Sequence, residues 1–305
     1  MLPGMRISIW PGAYQPFESV LAAANHAAGT GWDGVWFADH FMANAGGPFP
    51  PESPTLECGA TVAALAAAVD RVRIGTLVLG NTYRHPAVVA NMAATVDRIS
   101  GGRFTLGLGA GWQRNEHDQY GIELPAVRER VDRFAEAVQV ISGLLREPAT
   151  TFDGTHYQLT DALCEPKPVQ QPLPILIGAS GEQRMLGLVA RYADQWNTWG
   201  LPELIRHKSG VLDQHCEKVG RDPARIQRTA QALVFLTPDQ ATADQITGSL
   251  RQPAFGGPAD RVGEILGEYA ELGLDEFIVP DFTLGTGAQR EDNMDLLYAA
   301  AAPYR

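Results

Sequence analysis

The chain of 305 residues has little cysteine and no pair of cysteines spaced for a shared site. Its three cysteines, Cys58, Cys164 and Cys216, are odd in number, far apart and without a CxxC motif. This distribution excludes a disulfide framework and a zinc knuckle. It fits a reducing compartment, and we expect a cytoplasmic protein.

An excess of positive charge is also missing. Lysine and arginine number 24 against 35 aspartate and glutamate residues, which gives a net charge of -11. Nucleic acid and anionic membrane surfaces both attract cationic proteins, so we expect neither as a partner. No window reaches the roughly 18 apolar residues of a membrane helix. The opening MLPGMRISIW lacks the apolar stretch of a signal peptide. A small organic substrate is the expected partner.

Several hydrolase motifs are absent. The seven histidines form no HExxH and no HxH after the first strand-like run, so no metal site is expected. There is no GxSxG nucleophile elbow. Carboxylates for glycosidase chemistry could be drawn from Glu57, Glu116 and Asp281, but spacing alone does not bring them together.

Short apolar runs bounded by Gly, Pro and Asp recur along the chain and alternate with helical patterns. Such runs are typical of parallel strands that are covered on both faces. The strand-like runs are 6–10, 34–38, 73–79, 103–109, 174–178, 194–199, 230–236 and 276–280. The helical patterns are 17–29, 56–69, 86–99, 126–145, 182–192, 203–219, 259–272 and 290–301. This order predicts one α/β domain over 1–305, a (β/α)8 TIM barrel, with a doubly wound open sheet as the alternative.

Two segments interrupt the alternation and are interpreted as insertions in the barrel. Residues 147–172 are rich in proline, and TFDGTHYQL places an Asp-Gly turn between alternating residues, which predicts a small hairpin. Residues 237–257 form a polar excursion flanked by Gly and Pro.

The stretch GVWFADHFM at 34–42 ends a buried strand on two ionisable residues, Asp39 and His40. In a barrel they follow the second strand, at the face where active sites lie. One interpretation is a strand-end turn in which Asp39 caps a helix. The other is a catalytic acid or base, His40, beside a carboxylate that orients its ring or binds a ligand.

Two glycine-containing stretches are candidate ligand loops. GLGAGW at 107–112 lacks the third glycine of a dinucleotide fingerprint, but small residues there would let a flat ligand approach the backbone. Trp112 and Asn115 could then contact that ligand or belong to a surface loop. ILIGASGEQ at 175–183 places Gly178 to Gly181 before a helix starting at Glu182, which predicts either a phosphate site or a simple Ser cap. Arg84 could be an anion contact.

Four stretches together resemble the luciferase-like monooxygenase superfamily, and within it the branch that uses coenzyme F-420, a deazaflavin. They are GWDGVWFADHF (31–41), RVRIGTLVLGNTYRHPA (71–87), SGGRFTLGLGAGWQRNEHDQYG (100–121) and PILIGASGEQRMLGLVARYAD (174–194). The segment HCEKVGRDPARI (215–226) is also similar to this group. The likeness covers almost the whole chain and preserves the order of its elements.

The resemblance implies a (β/α)8 barrel with coenzyme F-420 across its mouth and His40 in proton transfer. It also implies a non-proline cis peptide at Leu77-Val78 and a turn that holds the cofactor phosphate. The residues then expected to bind the cofactor are Asp39, Leu77, Val78, Gly80, Trp112, Asn115, Gly178, Ala179, Ser180 and Gly181. Many members of the group are dimers, so a homodimer stays open.

The sequence departs from the sugar-phosphate dehydrogenases of that branch. Trp112 stands where they carry a carboxylate after the GxG turn, and no basic cluster for a sugar phosphate is evident. Trp10, Trp36, Trp112 and Trp199 favour a less polar substrate, although tryptophan also packs in cores.

We therefore expect an oxidoreductase that moves a hydride between reduced coenzyme F-420 and an organic substrate. The alternative is an FMN-dependent luciferase-like monooxygenase that uses reduced flavin and oxygen. A barrel hydrolase and a non-enzymatic cofactor-binding protein are further alternatives.

Overall fold

The computed structural model describes residues 4–47 and 49–305. The strands are β1 (Arg6–Trp10), β2 (Gly34–Phe37), β3 (Arg73–Thr76), β4 (Leu79–Gly80), β5 (Phe104–Gly109), β6 (Thr150–Asp153), β7 (Gln158–Ala162), β8 (Ile175–Gly178), β9 (Gln195–Trp199), β10 (Gln227–Gln231), β11 (Leu233–Leu236), β12 (Ala254–Gly257) and β13 (Glu276–Pro280). The helices are α1 (Phe17–Thr30), α2 (Cys58–Ala68), α3 (Pro86–Ile99), α4 (Arg114–Tyr120), α5 (Val127–Arg146), α6 (Met185–Tyr192), α7 (Pro202–Val219), α8 (Gln240–Thr247), α9 (Ala259–Glu271) and α10 (Gly287–Ala301). Within these ranges no helix combines the length and the apolar character needed to cross a bilayer.

Parallel strands close into a barrel. The order around it is β1, β2, β3, β5, β8, β9, β10 and β13, and β13 pairs again with β1. The predicted (β/α)8 barrel is confirmed. The open doubly wound sheet is excluded, because an open sheet would have two unpaired edge strands.

The third barrel strand is interrupted where it meets the fourth. β3 ends at Thr76, a cis peptide joins Leu77 and Val78, and β4 follows. The hydroxyl of Thr76 donates to the Gly107 carbonyl at 2.8 Å and accepts from the Gly107 N–H at 2.8 Å. One side chain therefore satisfies the backbone groups of β5 beside the break. The cis peptide that the family resemblance implies is confirmed.

The prediction of one strand over 230–236 is wrong. The barrel strand is β10, which begins earlier, and β11 leaves the barrel to pair in parallel with β12. The start of β10 was not predicted because it contains polar residues. These residues are hydrogen-bonded inside the barrel: the Asn197 amide donates to the Thr229 hydroxyl at 2.9 Å. The excursion at 237–257 contains α8 and β12 and is more regular than expected.

The insertion at 147–172 contains the predicted hairpin. β6 and β7 pair antiparallel around the turn that starts at Asp153. The Glu136 carboxylate on α5 accepts from the N–H groups of Thr155, His156 and Tyr157 at 2.9, 2.8 and 3.2 Å. This contact docks the hairpin on the helix layer.

The barrel interior contains a buried carboxylate at its lower end and an apolar cluster above it. Near the amino ends of the strands, the buried Glu276 carboxylate accepts from the Trp36 indole at 2.7 Å and from Arg6 at 3.1 Å. Above it Trp10, Leu77, Leu176 and Ile278 belong to one buried cluster. The interior is therefore filled, and space for a ligand lies at the carboxyl ends of the strands.

The close approach of β5 to Thr76 allows a test of how the barrel closes. A Cβ on Gly107 would lie 1.9 Å from the Thr76 carbonyl oxygen, whereas one on Gly210 in α7 would meet nothing within 4 Å. We expect Gly107→Ala to lower the free energy of unfolding by about 3 kcal/mol, the upper end of the usual overpacking cost, because the obstructing atom is backbone.

Gly210→Ala is the matched control and should raise the free energy of unfolding by about 0.5–1 kcal/mol, since alanine favours helix. Urea unfolding measures both variants. Equal stabilities would show that Gly107 does not limit the packing of β5 on the interrupted strand.

Candidate active site

A cavity of about 760 Å³ lies at the carboxyl ends of the barrel strands. Its size is typical of sites for cofactors and small substrates. Asn115 does not line it, because its amide turns away and donates to the Ala43 carbonyl at 2.9 Å. The other predicted site residues line it: Asp39, His40, Leu77, Val78, Gly80, Trp112, Gly178, Ala179, Ser180 and Gly181.

His40 is held by a carboxylate from another loop at the cavity rim. Its Nδ1 lies 3.0 Å from Oε1 of Glu116, which is fully buried on α4. Oε2 of Glu116 accepts from the Phe41 N–H at 2.8 Å, and the Tyr83 hydroxyl donates to Oε1. The neighbour of His40 in the chain, Asp39, makes no such contact. The carboxylate that orients His40 is therefore Glu116.

The protonation states of this cluster follow from its contacts. Burial would raise the pKa of the Glu116 carboxyl, but the contacts with His40, Tyr83 and the Phe41 N–H outweigh burial and lower it. Burial, and next the Glu116 carboxylate, raises the pKa of the Tyr83 phenol. Glu116 is thus ionised at neutral pH and can only accept hydrogen bonds. His40 then presents Nδ1–H to Glu116, and Nε2 has no partner among the described residues.

Asp39 is paired with an arginine. Its two oxygens accept from Arg84 at 2.7 and 2.9 Å, and one also accepts from the Gly80 N–H at 2.9 Å. Arg84 also contacts Glu57. Burial would lower the pKa of the Arg84 guanidinium, but these two carboxylates raise it, so it stays charged. The anion that Arg84 contacts is therefore the protein's own carboxylate.

The glycine turn after β8 is held from three sides. The Ala179 N–H donates to the Asn197 carbonyl at 2.9 Å, and the Trp196 indole donates to the Ala179 carbonyl at 2.9 Å. The buried Lys208 ammonium donates to the Ser180 carbonyl at 2.7 Å. Among the described residues, the N–H groups of Ser180 and Gly181 have no acceptor. The prediction that a helix begins at Glu182 is wrong, since α6 begins three residues later.

The small residues that line the cavity floor leave room for Val78. A Cβ on Gly109 would lie 2.7 Å from a Val78 methyl group, and one on Gly178 would lie 3.1 Å away. Val78 therefore fills the floor between β5 and β8. The glycines serve the packing of the interrupted strand as well as the approach of any ligand.

Aromatic side chains form much of the cavity wall. The ring centroids of Trp10 and Trp199 lie 5.7 Å apart. The ring centroid of Trp112, which is 58% exposed, lies 5.6 Å from that of His40. Trp36 is not part of this wall, because it is buried at the lower end of the barrel. Three of the four tryptophans considered in the sequence thus line the cavity.

Two residues of the cluster carry little signal in the sequence. Glu116 follows the fourth barrel strand and His40 the second, and the sequence only suggests Glu116 as a glycosidase carboxylate. Tyr83 follows β4 without a recognisable motif. The sequence does not predict the short helix α4, which turns Glu116 inward. From the sequence alone, the segment around Trp112 could be either a surface loop or a ligand contact.

Comparison with known sequences gives extensive matches. The profile described as luciferase-like monooxygenase matches residues 4–261. The chain is 36% identical over 219 residues to a curated protein named F-420-dependent glucose-6-phosphate dehydrogenase, from Microbacterium testaceum. That match covers 70% of this chain and 62% of the relative, so it spans less than two thirds of the relative's length.

Comparison with solved structures shows the same fold. An F-420-dependent secondary alcohol dehydrogenase, solved with an F-420–acetone adduct, superposes with a TM-score of 0.86 at 20% identity, over 98% of this chain and 99% of that one. A coenzyme F-420-dependent tetrahydromethanopterin reductase from Methanopyrus kandleri gives 0.83 at 16% identity, over 99% and 100%.

The buried Glu116 carboxylate predicts a defined pH dependence of stability. Its folded pKa is lowered, so its contribution is present above the ordinary value of 4.5 and is lost as the pH falls through the folded pKa. We expect Glu116→Gln to cost about 1.5–3 kcal/mol at pH 7, the worth of hydrogen bonds to a charged group. The difference in the free energy of unfolding between the variant and the wild type should shrink as the pH falls below the ordinary carboxyl pKa of 4.5.

Glu123→Gln is the matched control, because Glu123 is 69% exposed and its contact with Arg133 is weakly stabilising. Urea unfolding at several pH values measures both variants. A Glu116→Gln penalty that stays constant down to the lowest pH at which the protein folds would contradict the ionised state of Glu116.

Proposed function

We propose that this chain, which belongs to the luciferase-like monooxygenase family, is an oxidoreductase that moves a hydride between coenzyme F-420 and an organic substrate. The observation that carries the proposal is His40, held by a buried carboxylate at the rim of a cofactor-sized cavity. The curated relative is named for the same cofactor.

The cavity residues fit a flat cofactor that ends in a phosphate. The aromatic and aliphatic walls suit a tricyclic ring, and Val78 on the cavity floor would be one of the residues that hold it. The unpaired N–H groups of Ser180 and Gly181 suit a phosphate, with Arg130 as a nearby cation. Coenzyme F-420, when bound, supplies the hydride chemistry.

In this proposal His40 moves the proton that accompanies the hydride. Reduction of a carbonyl group needs a hydride at carbon and a proton at oxygen, and oxidation of the alcohol releases both. The free Nε2 of His40 would give or take that proton in the cavity. Glu116 would hold the ring through Nδ1 and stabilise the imidazolium when Nε2 is protonated.

Asp39 would act on the site through its neighbours. Its oxygens already accept from Arg84 and the Gly80 N–H. It would therefore fix the backbone at Gly80, next to the cavity floor, and contribute to cofactor binding by that route.

Three further expectations belong to the same proposal. The chain would form a single domain over 1–305, act in the cytoplasm, and take a small organic substrate. The homodimer that the family resemblance leaves open can be measured by sedimentation of the purified protein.

Cofactor choice is the first test. Titration of the purified protein with coenzyme F-420 and with FMN, read by fluorescence, should show tighter binding of coenzyme F-420. An FMN-dependent monooxygenase would show the reverse, together with oxygen consumption in the presence of reduced FMN. FMN favoured by tenfold or more, about 1.4 kcal/mol, would overturn the assignment.

The role of His40 is tested by a single-turnover reaction. Reduced coenzyme F-420 bound to the protein is mixed with menadione, a surrogate that must accept a hydride and a proton. His40→Gln should slow the reaction by at least about 100-fold, the lower bound for general acid–base catalysis, with coenzyme affinity changed only a few-fold.

His26→Gln is the control, because this histidine pairs with Asp295 far from the cavity. Full activity in the His40 variant would mean that the imidazole is a structural strand-end residue.

A further inference from the structure

A buried lysine contacts the glycine turn from outside the cavity. Lys208 on α7 is 8% exposed. Its ammonium donates to the Ser180 carbonyl at 2.7 Å and to Oε1 of Glu182 at 3.1 Å. Ser180 lines the cavity, whereas Lys208 does not. Lysine is almost never buried unless it is paired, so these two contacts fix the ammonium behind the turn.

The charge of this ammonium is largely balanced by its carboxylate partner. The hydrogen bond from Lys208 is the main cause that lowers the pKa of the Glu182 carboxyl, so Glu182 is ionised at neutral pH. The Glu182 side chain is 40% exposed and also lies 3.1 Å from the His207 imidazole. Lys208 therefore acts on the turn mainly through the direction of its hydrogen bond to Ser180, and less as a free charge.

Two consecutive carbonyls of the turn accept from side chains outside the cavity. The Trp196 indole donates to the Ala179 carbonyl at 2.9 Å, and Lys208 donates to the next carbonyl, that of Ser180. The peptides that follow these carbonyls are trans, so the C=O and N–H of each point in opposite directions. The N–H groups of Ser180 and Gly181 therefore point away from the two donors, and among the described residues neither has an acceptor.

The direction of the Ser180–Gly181 peptide decides how the turn meets an anion. Two adjacent N–H groups on one side form a concavity that attracts an anionic group. Rotation of this peptide by half a turn would replace the Gly181 N–H with the Ser180 carbonyl oxygen, which repels an anion. Glycine takes up positive φ readily, so Gly181 itself does not prevent that rotation. The hydrogen bond from Lys208 prevents it, because rotation would deprive the buried ammonium of this acceptor.

We propose that Lys208 is a positioning residue for the phosphate of the cofactor, because it fixes the Ser180–Gly181 peptide with its N–H directed to the cavity. The inference rests on the proposed function and assigns a role to a residue outside the cavity. Trp196 fixes the preceding peptide in the same way. Lys208 thereby increases the affinity for a phosphorylated cofactor and takes no part in the transfer of hydride or proton.

The test uses two ligands that differ only in a phosphate: the deazariboflavin head of coenzyme F-420, and the same molecule with a phosphate on its ribityl chain. Fluorescence titration gives the dissociation constant of each. Lys208→Met removes the ammonium and keeps an unbranched side chain. It should weaken binding of the phosphorylated ligand about tenfold, the worth of one hydrogen bond to a charged group. Binding of the phosphate-free ligand should change less than about twofold, which also shows that the cavity is intact.

Lys218→Met is the matched control, because it removes one positive charge from an exposed position on the same helix. It should bind both ligands as the wild type does. A double-mutant cycle with Gly181→Ala tests the direction of the peptide. A Cβ on Gly181 would meet only Met185, at 3.6 Å or more, whereas alanine disfavours the positive φ of the rotated peptide. In the Gly181→Ala background, the loss caused by Lys208→Met should fall from about tenfold to about threefold or less.

The outcomes separate this inference from the proposed function. Unchanged affinity of Lys208→Met for the phosphorylated ligand, or equal losses for the two ligands, would overturn the role of Lys208. A loss of full size in the Gly181→Ala background would overturn it as well. Failure of the wild type to bind either deazaflavin would sink the proposed function instead. Riboflavin and FMN, which differ by the same phosphate, would then decide the role of Lys208, and no advantage of FMN over riboflavin would overturn it.

Discussion

The buried carboxylate of Glu116 connects segments that lie far apart in the chain. It accepts from His40 and the Phe41 N–H after the second strand, and from Tyr83 after the third. α4, which carries it, follows the fourth strand. Three adjacent loops at the barrel mouth are thus joined through one ionised group, because each loop contributes a donor or the acceptor. The orientation of His40, and with it any proton transfer in the cavity, depends on this contact.

Much of the barrel could be predicted from the sequence because its strands are short, apolar and separated by amphipathic helices. The seventh strand could not. Thr229 is polar but buried, since its partner Asn197 lies on the neighbouring strand. The pairing of polar residues inside the barrel depends on the tertiary structure, so the pattern of apolar residues along the sequence does not predict it. The apolar run that follows instead builds the outer pair of β11 and β12.

Those residues of the candidate site that stand together in short stretches of sequence could be predicted. Asp39, His40 and the turn from Gly178 to Gly181 stand directly after strands, and a barrel brings strand ends together. The relation between these residues was not predictable. The sequence places Asp39 beside His40, yet Asp39 pairs with Arg84 and leaves His40 to Glu116. Loop geometry in three dimensions decides which carboxylate pairs with Arg84 and which with His40.

Among the described residues that line the cavity, Arg130 is the one arginine and none is a lysine, so little positive charge is available there to attract an anionic cofactor. The chain as a whole carries a net charge of -11, and a single guanidinium at the mouth does not reverse the long-range field around it. The net negative charge of the chain then opposes diffusional encounter with an anion. Dissolved salt screens the repulsion over about 8–10 Å at ordinary ionic strength, so association should quicken as ionic strength rises.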